Sequence, residues 1–229
     1  MPLVFLLDLD NTLIDNDVAR DRLAEATVRV LGEELSRAYW DDYEAVRADL
    51  GYVDTLATLE RFHQHHPDAG GGALDRAILD FPYAEVRYPA TLEVLKALSL
   101  AGVPVVLSDG DPIFQPLKVA RSGVADAVNG NVLVFAHKDA HLRDVARLFP
   151  AERYVAVDDK AGVLARVKMH WGERVTTVHV LQGKYADDPY EGPPPDLVIQ
   201  RIGDLPSYVG TAPGAPVFEH GGATTRRVT

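Results

Sequence analysis

The stretch VFLLDLDNTLID, Val4–Asp15, decides how the rest of the chain is read. Val4–Leu7 is a short apolar run bounded by polar residues, the pattern of a buried strand. It stops at Asp8, with Asp10 two residues on and Thr12 after that. Ionised carboxylates beside a core cost free energy unless something compensates them. Either the run simply meets solvent there, or it ends at a site where the acids react.

The remainder of the chain bears on that choice. From Asp17 to about Ala84, DVARDRLAEATVRVLGEEL, SRAYWDDYEAVRADL and YVDTLATLERFHQHH carry apolar residues at helical spacing, and residues 17–81 hold no convincing strand. PDAGGGAL breaks the helices and reads as a flexible loop at Gly70–Gly72, which lacks the strand-before, helix-after context of a phosphate loop. After Tyr88-Pro89 an alternation sets in. The strands VPVVL (103–107), NVLVFA (131–136), RYVAV (153–157), VTTVHVL (175–181) and DLVI (196–199) are separated by amphipathic helical segments, except across the Pro-rich GPPPD before DLVI. Repeated β–α units imply a parallel sheet covered by helices. The expected fold is α/β: a Rossmann-like parallel sheet core over residues 1–15 and 89–210, with an all-helical cap inserted at 16–88. Residues 211–229 show no clear periodicity and are expected to be a tail. An insert after the first strand sits above the C-terminal edge of the sheet, where open α/β proteins bind ligands.

Bulk properties exclude several classes. A net charge of −11 argues against nucleic-acid binding through a general basic surface. The absence of cysteine excludes disulfides, thiolate catalysis and cysteine-based metal sites, and suits a cytoplasmic protein. Asp8 interrupts the first apolar run too early for a signal sequence, and no run approaches the ~20 residues that span a bilayer. A soluble protein with no membrane partner is expected.

In a parallel sheet the strand ends share one edge, so residues distant in sequence converge there. The first strand is followed by Asp8 and Asp10, the second by Ser108-Asp109-Gly110-Asp111, the third by His137-Lys138, and the fourth by Asp158-Asp159-Lys160. Of two carboxylates, one can attack an electrophile while the other, held protonated, donates to the leaving group. Asp8 with Asp158 or Asp159 makes an all-oxygen site suited to Mg²⁺. Mg²⁺ and Lys138 would neutralise a bound phosphate, to which Ser108 would donate a hydrogen bond.

With LLDLDNTL, VVLSDG, Lys138 in AHKDAHL and VAVDD present in that order, the chain resembles the haloacid dehalogenase-like (HAD) superfamily over nearly the whole core. The resemblance implies a phosphatase with a helical cap, acting on a small phosphorylated metabolite through an aspartyl-phosphate, or else a phosphomutase that passes the phosphoryl group to a second hydroxyl. A non-catalytic phospho-ligand-binding protein is the third alternative. By similarity Asp8 is the nucleophile, Asp10 the acid and then the base, and Thr12 the support of the loop around Asp10. Ser108, Asp109 and Lys138 surround the phosphate. Asp8, the Asp10 carbonyl, Asp158 and Asp159 form the Mg²⁺ site, with Asp159 as the main acidic ligand of the last motif. Relatives that displace halide from carbon typically lack the acid at the position of Asp10, so its presence favours phosphoryl transfer. Two departures from the usual pattern stand out. Asp139 follows Lys138 where proline is common, and Asp109 adds a negative charge that calls for a partner. Lys118 in FQPLKVARSG is a rival to Lys138 but sits inside a helix.

Other signals read as structural. The histidines of HQHH (63–66) lie at a helix end, where the dipole favours them. Tyr39, Trp40 and Tyr43 are expected to build the cap's own core, or one of them to face the substrate. Arg20, Arg22, Tyr43, Arg47 and Arg61 are candidates to meet the distal end of a substrate, although most charges on amphipathic helices only face solvent.

Overall fold

A computed structural model describes residues 3–209. The expected tail at 211–229 lies outside them. Six strands, β1 (Leu3–Leu7), β2 (Gly102–Asp109), β3 (Val132–Phe135), β4 (Tyr154–Asp158), β5 (Val175–Val180) and β6 (Leu197–Ile199), form one parallel sheet in the order β3-β2-β1-β4-β5-β6. Leu7 lies opposite Val106 of β2 on one side and Val157 of β4 on the other. The strand order therefore reverses beside β1, and a crevice at such a reversal is where doubly wound sheets take ligands.

The apolar run of β1 is buried on both faces, which is why it alternates in destination and not in polarity. Phe5 and Leu7 pack with Leu95 and Leu98 of α4 (Thr91–Ala101), Val119 of α5 (Phe114–Arg121) and Val124 of α6 (Val124–Ala127). Val4 and Leu6 pack with Leu142 and Val145 of the helix Leu142–Leu148, and with Leu164 and Val167 of the helix Ala161–Trp171. Each such side chain contributes about 1.5–3 kcal/mol by leaving water. A short terminal helix, Pro206–Val209, closes the described chain. No helix among the described residues is long and apolar enough to cross a membrane.

Between β1 and α4 the chain is helical: α1 (Asn16–Leu50), α2 (Thr55–His65) and α3 (Gly71–Leu79). Asp15 and Asp54 cap α1 and α2, accepting from the N–H groups of Val18 and Ala57 at 2.9 Å each. The backbone of α1 is broken at Gly32, so it is two helices in series. These helices share a small core of Tyr39, Leu59, Phe62, Leu74 and Ile78. The segment leaves and returns at one place. Asp15 N–H donates to the Val86 carbonyl at 2.7 Å, and Tyr88 N–H to that of Leu13 at 3.1 Å. The glycine run differs from its expectation as a loop, since Gly71 and Gly72 open α3. Gly70 caps that helix at φ 69°, where a Cβ would come within 2.6 Å of Leu31. Close packing, not mobility, accounts for a glycine at position 70.

Candidate active site

Three carboxylates meet where β1 and β4 end. Asp8, Asp158 and Asp159 are all buried, and one oxygen from each lies within 4.8 Å of the others. The buried Lys138 ammonium pairs with Asp8, and with Asp158 Oδ2 at 2.7 Å. Lys138 opens a 3-10 turn just past β3, and its backbone N–H donates to Asp109 Oδ1 at 2.7 Å. That contact is the partner Asp109 called for: its carboxylate fixes the turn that delivers Lys138. Burial pushes the Asp8 carboxyl up, by more than Lys138 lowers it. Burial pulls Lys138 down, but Asp158 and Asp8 outweigh it and hold the ammonium above the usual lysine range.

Asp159 is in a different state from Asp158. Asp158 is satisfied, since Oδ1 accepts from Lys160 N–H at 2.9 Å and Oδ2 takes Lys138. Asp159 is fully buried, and neither of its carboxylate oxygens has a hydrogen-bond partner. Burial, reinforced by the charges of Asp158 and Asp8, pushes its carboxyl up to about 9. Buried polar oxygens are rarely left unpaired. An all-oxygen set with two such free atoms fits a hard divalent cation.

Asp10 opens onto a cavity of about 280 Å³ between the sheet edge and the helical segment. Asp109, Gln115, Lys118 and Lys160 line it from the sheet side, and Arg20, Trp40, Tyr43 and Arg47 from the helical side. Asp8, Lys138 and Asp158 border a second, much smaller void of about 20 Å³. Ser108 is buried at the end of β2, where its Oγ accepts from Gln115 Nε2 at 2.9 Å.

Several expectations change here. Thr12 is buried, but its hydroxyl has no hydrogen-bond partner, so it does not steady the Asp10 loop through that group. Asn11 and Gln182 do so instead. Asn11, in the left-handed region at φ 59°, accepts from Asn16 N–H at 3.0 Å, and Gln182 Nε2 donates to the Thr12 carbonyl at 3.2 Å. Asparagine tolerates the left-handed conformation better than most residues, and its side chain bonds the local backbone there. Of the three cap aromatics Tyr39 is in the buried core of the helices and Trp40 packs against it; Trp40 and Tyr43 also face the cavity, with the Arg20 guanidinium 5.3 and 5.0 Å from their ring centres. Glu44 holds Arg20 at 2.5 Å and Arg47 at 3.5 Å. Arg22 and Arg61 are held elsewhere, by Glu85 and by Asp42 with Asp49. His63 and His65 bond Asp75 and Asp42, and belong to no metal-binding group among the described residues.

Lys118 is no substitute for Lys138; the two cations serve different carboxylates. Lys118 Nζ lies 2.5 Å from Asp10 Oδ1 and donates to Asn16 Oδ1 at 2.6 Å. Gln115, one turn earlier on α5, bridges Asp10 and Ser108 and carried no signal of its own beyond i, i+3 spacing from Lys118. His179 on β5, also unforeseen, bonds the Asp159 carbonyl at 2.9 Å and fixes the turn after β4.

Residues 5–180 match the model of a known family, the haloacid dehalogenase-like hydrolases. No curated protein sequence matches the chain. A crystal structure of a haloacid dehalogenase-like hydrolase from Burkholderia xenovorans LB400 is 43% identical, covers 90% of this chain and 95% of its own, and superposes with a TM-score of 0.83. The L-2-haloacid dehalogenase of Xanthobacter autotrophicus is 21% identical, with 91% and 98% covered and a TM-score of 0.58. The HAD-hydrolase YfnB of Bacillus subtilis, bound to magnesium, is 13% identical, with 89% and 96% covered and a TM-score of 0.59. The last two likenesses are of fold alone.

Proposed function

The chain belongs to the haloacid dehalogenase-like hydrolases, and we propose that within them it is a Mg²⁺-dependent phosphatase of a small phosphorylated metabolite. The observation that carries this reading is Asp10: a carboxylate on the cavity wall, two residues past a buried carboxylate that Lys138 holds. Displacing an alkoxide from phosphorus calls for a proton donor at such a position, whereas displacing halide from carbon does not.

In the proposed reaction an oxygen of Asp8 attacks phosphorus and forms an aspartyl-phosphate. The bond from phosphorus to the ester oxygen breaks, its electron pair goes to that oxygen, and Asp10 supplies the proton that makes it an alcohol. Asp10, now ionised, takes a proton from water, whose oxygen attacks phosphorus. The bond to Asp8 then breaks, which frees inorganic phosphate and restores the carboxylate. Ser108 and Lys138 hold phosphoryl oxygens, Asp109 holds Lys138 in place, and Arg20, Trp40, Tyr43 and Arg47 close the cavity over the alcohol portion. Asp8, Asp159 and the Asp10 carbonyl would hold Mg²⁺, with Asp158 assisting. The cation, when bound, supplies positive charge to the acidic cluster and to the phosphoryl oxygens.

The test is release of phosphate from p-nitrophenyl phosphate, with Mg²⁺ and with chelator, for the native protein and Asp8→Asn. Mg²⁺-dependent release that disappears in the variant supports the reading. Halide release from 2-chloropropionate without phosphate release would replace it with carbon–halogen displacement. Labelled Asp8 that exchanges its phosphoryl group with a sugar hydroxyl, and not with water, would make the protein a mutase.

A further inference from the structure

One turn of α5 grips the Asp10 carboxylate at the cavity wall. Lys118 Nζ forms an ion pair with the buried Oδ1 at 2.5 Å, which makes no hydrogen bond, and Gln115 Nε2 donates to Oδ2 at 3.2 Å. Both gripping residues are 6% exposed, whereas the Asp10 side chain keeps 29% of its surface open. All three residues line the same cavity, but the two gripping residues are largely covered and the acid is the more open group. Lys118 is itself fixed by Asn16 Oδ1 at 2.6 Å and by the Tyr83 ring, whose centre lies 5.2 Å from Nζ. Gln115 fixes a second group at the same time, since its Nε2 also donates to Ser108 Oγ at 2.9 Å. A single helix turn therefore sets the separation between the residue proposed to protonate the leaving oxygen and the residue proposed to hold the phosphoryl group.

A carboxyl that has to meet one oxygen of a bound ester gains rate when its orientation is settled in advance. That gain depends on the alcohol. A nitrophenolate leaves with little help, but an aliphatic alkoxide is a far stronger base, and its departure depends on receiving the proton as the bond breaks. We propose that Lys118 and Gln115 are positioning residues for Asp10, and that their grip fits the protein to phosphate esters of aliphatic alcohols. This rests on the phosphatase reading above. The proton passes from Asp10 to the ester oxygen, the electron pair of the broken P–O bond stays on that oxygen, and neither Lys118 nor Gln115 enters the balance.

The experiment compares kcat/KM for propyl phosphate and p-nitrophenyl phosphate, with the Mg²⁺-loaded full chain. Lys118→Met is expected to lose at least tenfold more on the propyl ester than on the aryl ester, with Gln115→Leu in the same direction. Lys118→Arg, which keeps the charge, is expected to recover part of the propyl activity. Because Lys118 acts through Asp10, adding Lys118→Met to Asp10→Asn is expected to cost less than threefold more on the propyl ester. Equal losses on the two esters, or losses that multiply in the double variant, would overturn the positioning role and leave the phosphatase reading standing. Failure of the native protein to hydrolyse either ester would overturn both. A Lys118→Met protein that merely folds badly would lose both activities alike, and so counts against the proposal.

Discussion

Asp159→Asn tests the cation site without recourse to turnover. In the native protein the Asp159 carboxyl is raised from 3.8 to about 9 by burial and by the charges of Asp158 and Asp8. Between those values and without metal, the folded chain holds a proton that the unfolded chain has released. A raised folded value means that stability is present below the unfolded value and is lost as pH rises through the folded one, at about 1.4 kcal/mol per pH unit for one group. From pH 6 to pH 8 Asp159, which titrates together with the likewise raised Asp8, contributes a loss of at most about 3 kcal/mol, which for a chain of 229 residues corresponds to at most about 6–12 °C in Tm. Asparagine does not titrate, so the fall in Tm over that interval, in EDTA, is expected to be smaller in the variant by up to this amount. Mg²⁺ needs the ionised carboxylate, so its stabilisation of the native protein is expected to grow with pH. Thermal unfolding by fluorescence at pH 6, 7 and 8, with EDTA and with Mg²⁺, gives both readouts. Comparing slopes removes whatever the asparagine amide does to Tm at a single pH. Equal slopes for the two proteins in EDTA, or equal stabilisation of both by Mg²⁺, would refute the argument.

Other substitutions probe the frame around the site. Lys138→Met leaves Asp8 and Asp158 buried without their cation, and in EDTA is expected to cost about 3–5 kcal/mol; an unchanged urea midpoint would show that the cluster is stabilised by other means. Leu95→Ala removes a side chain with no exposed surface from between α4 and the sheet, at an expected cost of about 2–5 kcal/mol in urea unfolding. Gly183→Ala sets a Cβ 2.3 Å from Asn11 Cγ at a residue with φ 69°. Strain of about 1–3 kcal/mol is expected from the backbone alone, with reduced phosphate release because Asn11 supports the Asp10 loop. Phosphate release equal to native would separate that loop from catalysis.

The convergence of Asp8, Asp158 and Lys138 was legible because it follows from one rule. In a parallel sheet every strand end falls on the same edge, so an apolar run followed by polar residues already gives a position in space. The helical segment was legible through its period. Of the cavity-facing aromatics the sequence singles out Tyr43 but not Trp40. Tyr39, Trp40 and Tyr43 all lie on α1, and only the docking of α2 and α3 separates the buried tyrosine from the two neighbours that meet Arg20. Thr12 is a similar case. Its hydroxyl has no hydrogen-bond partner, and the bonds that hold the loop come from the Asn11 amide and from Gln182, 170 residues from Thr12.

From the sequence alone came the order of elements, the strand ends that carry acid, and a charge pattern that speaks against nucleic acid. Those are local properties: periodicity and the cost of a carboxylate beside a core are felt within a few residues. Tertiary structure decided what the second cation does. The place of Lys138 just past a strand already pointed it to Asp8, but only the packing of α5 brings Lys118 to Asp10. It also decided that Asp158 is satisfied while its neighbour Asp159 is not. Adjacent residues leaving a strand point in different directions, and what each meets depends on parts of the fold far away in the chain.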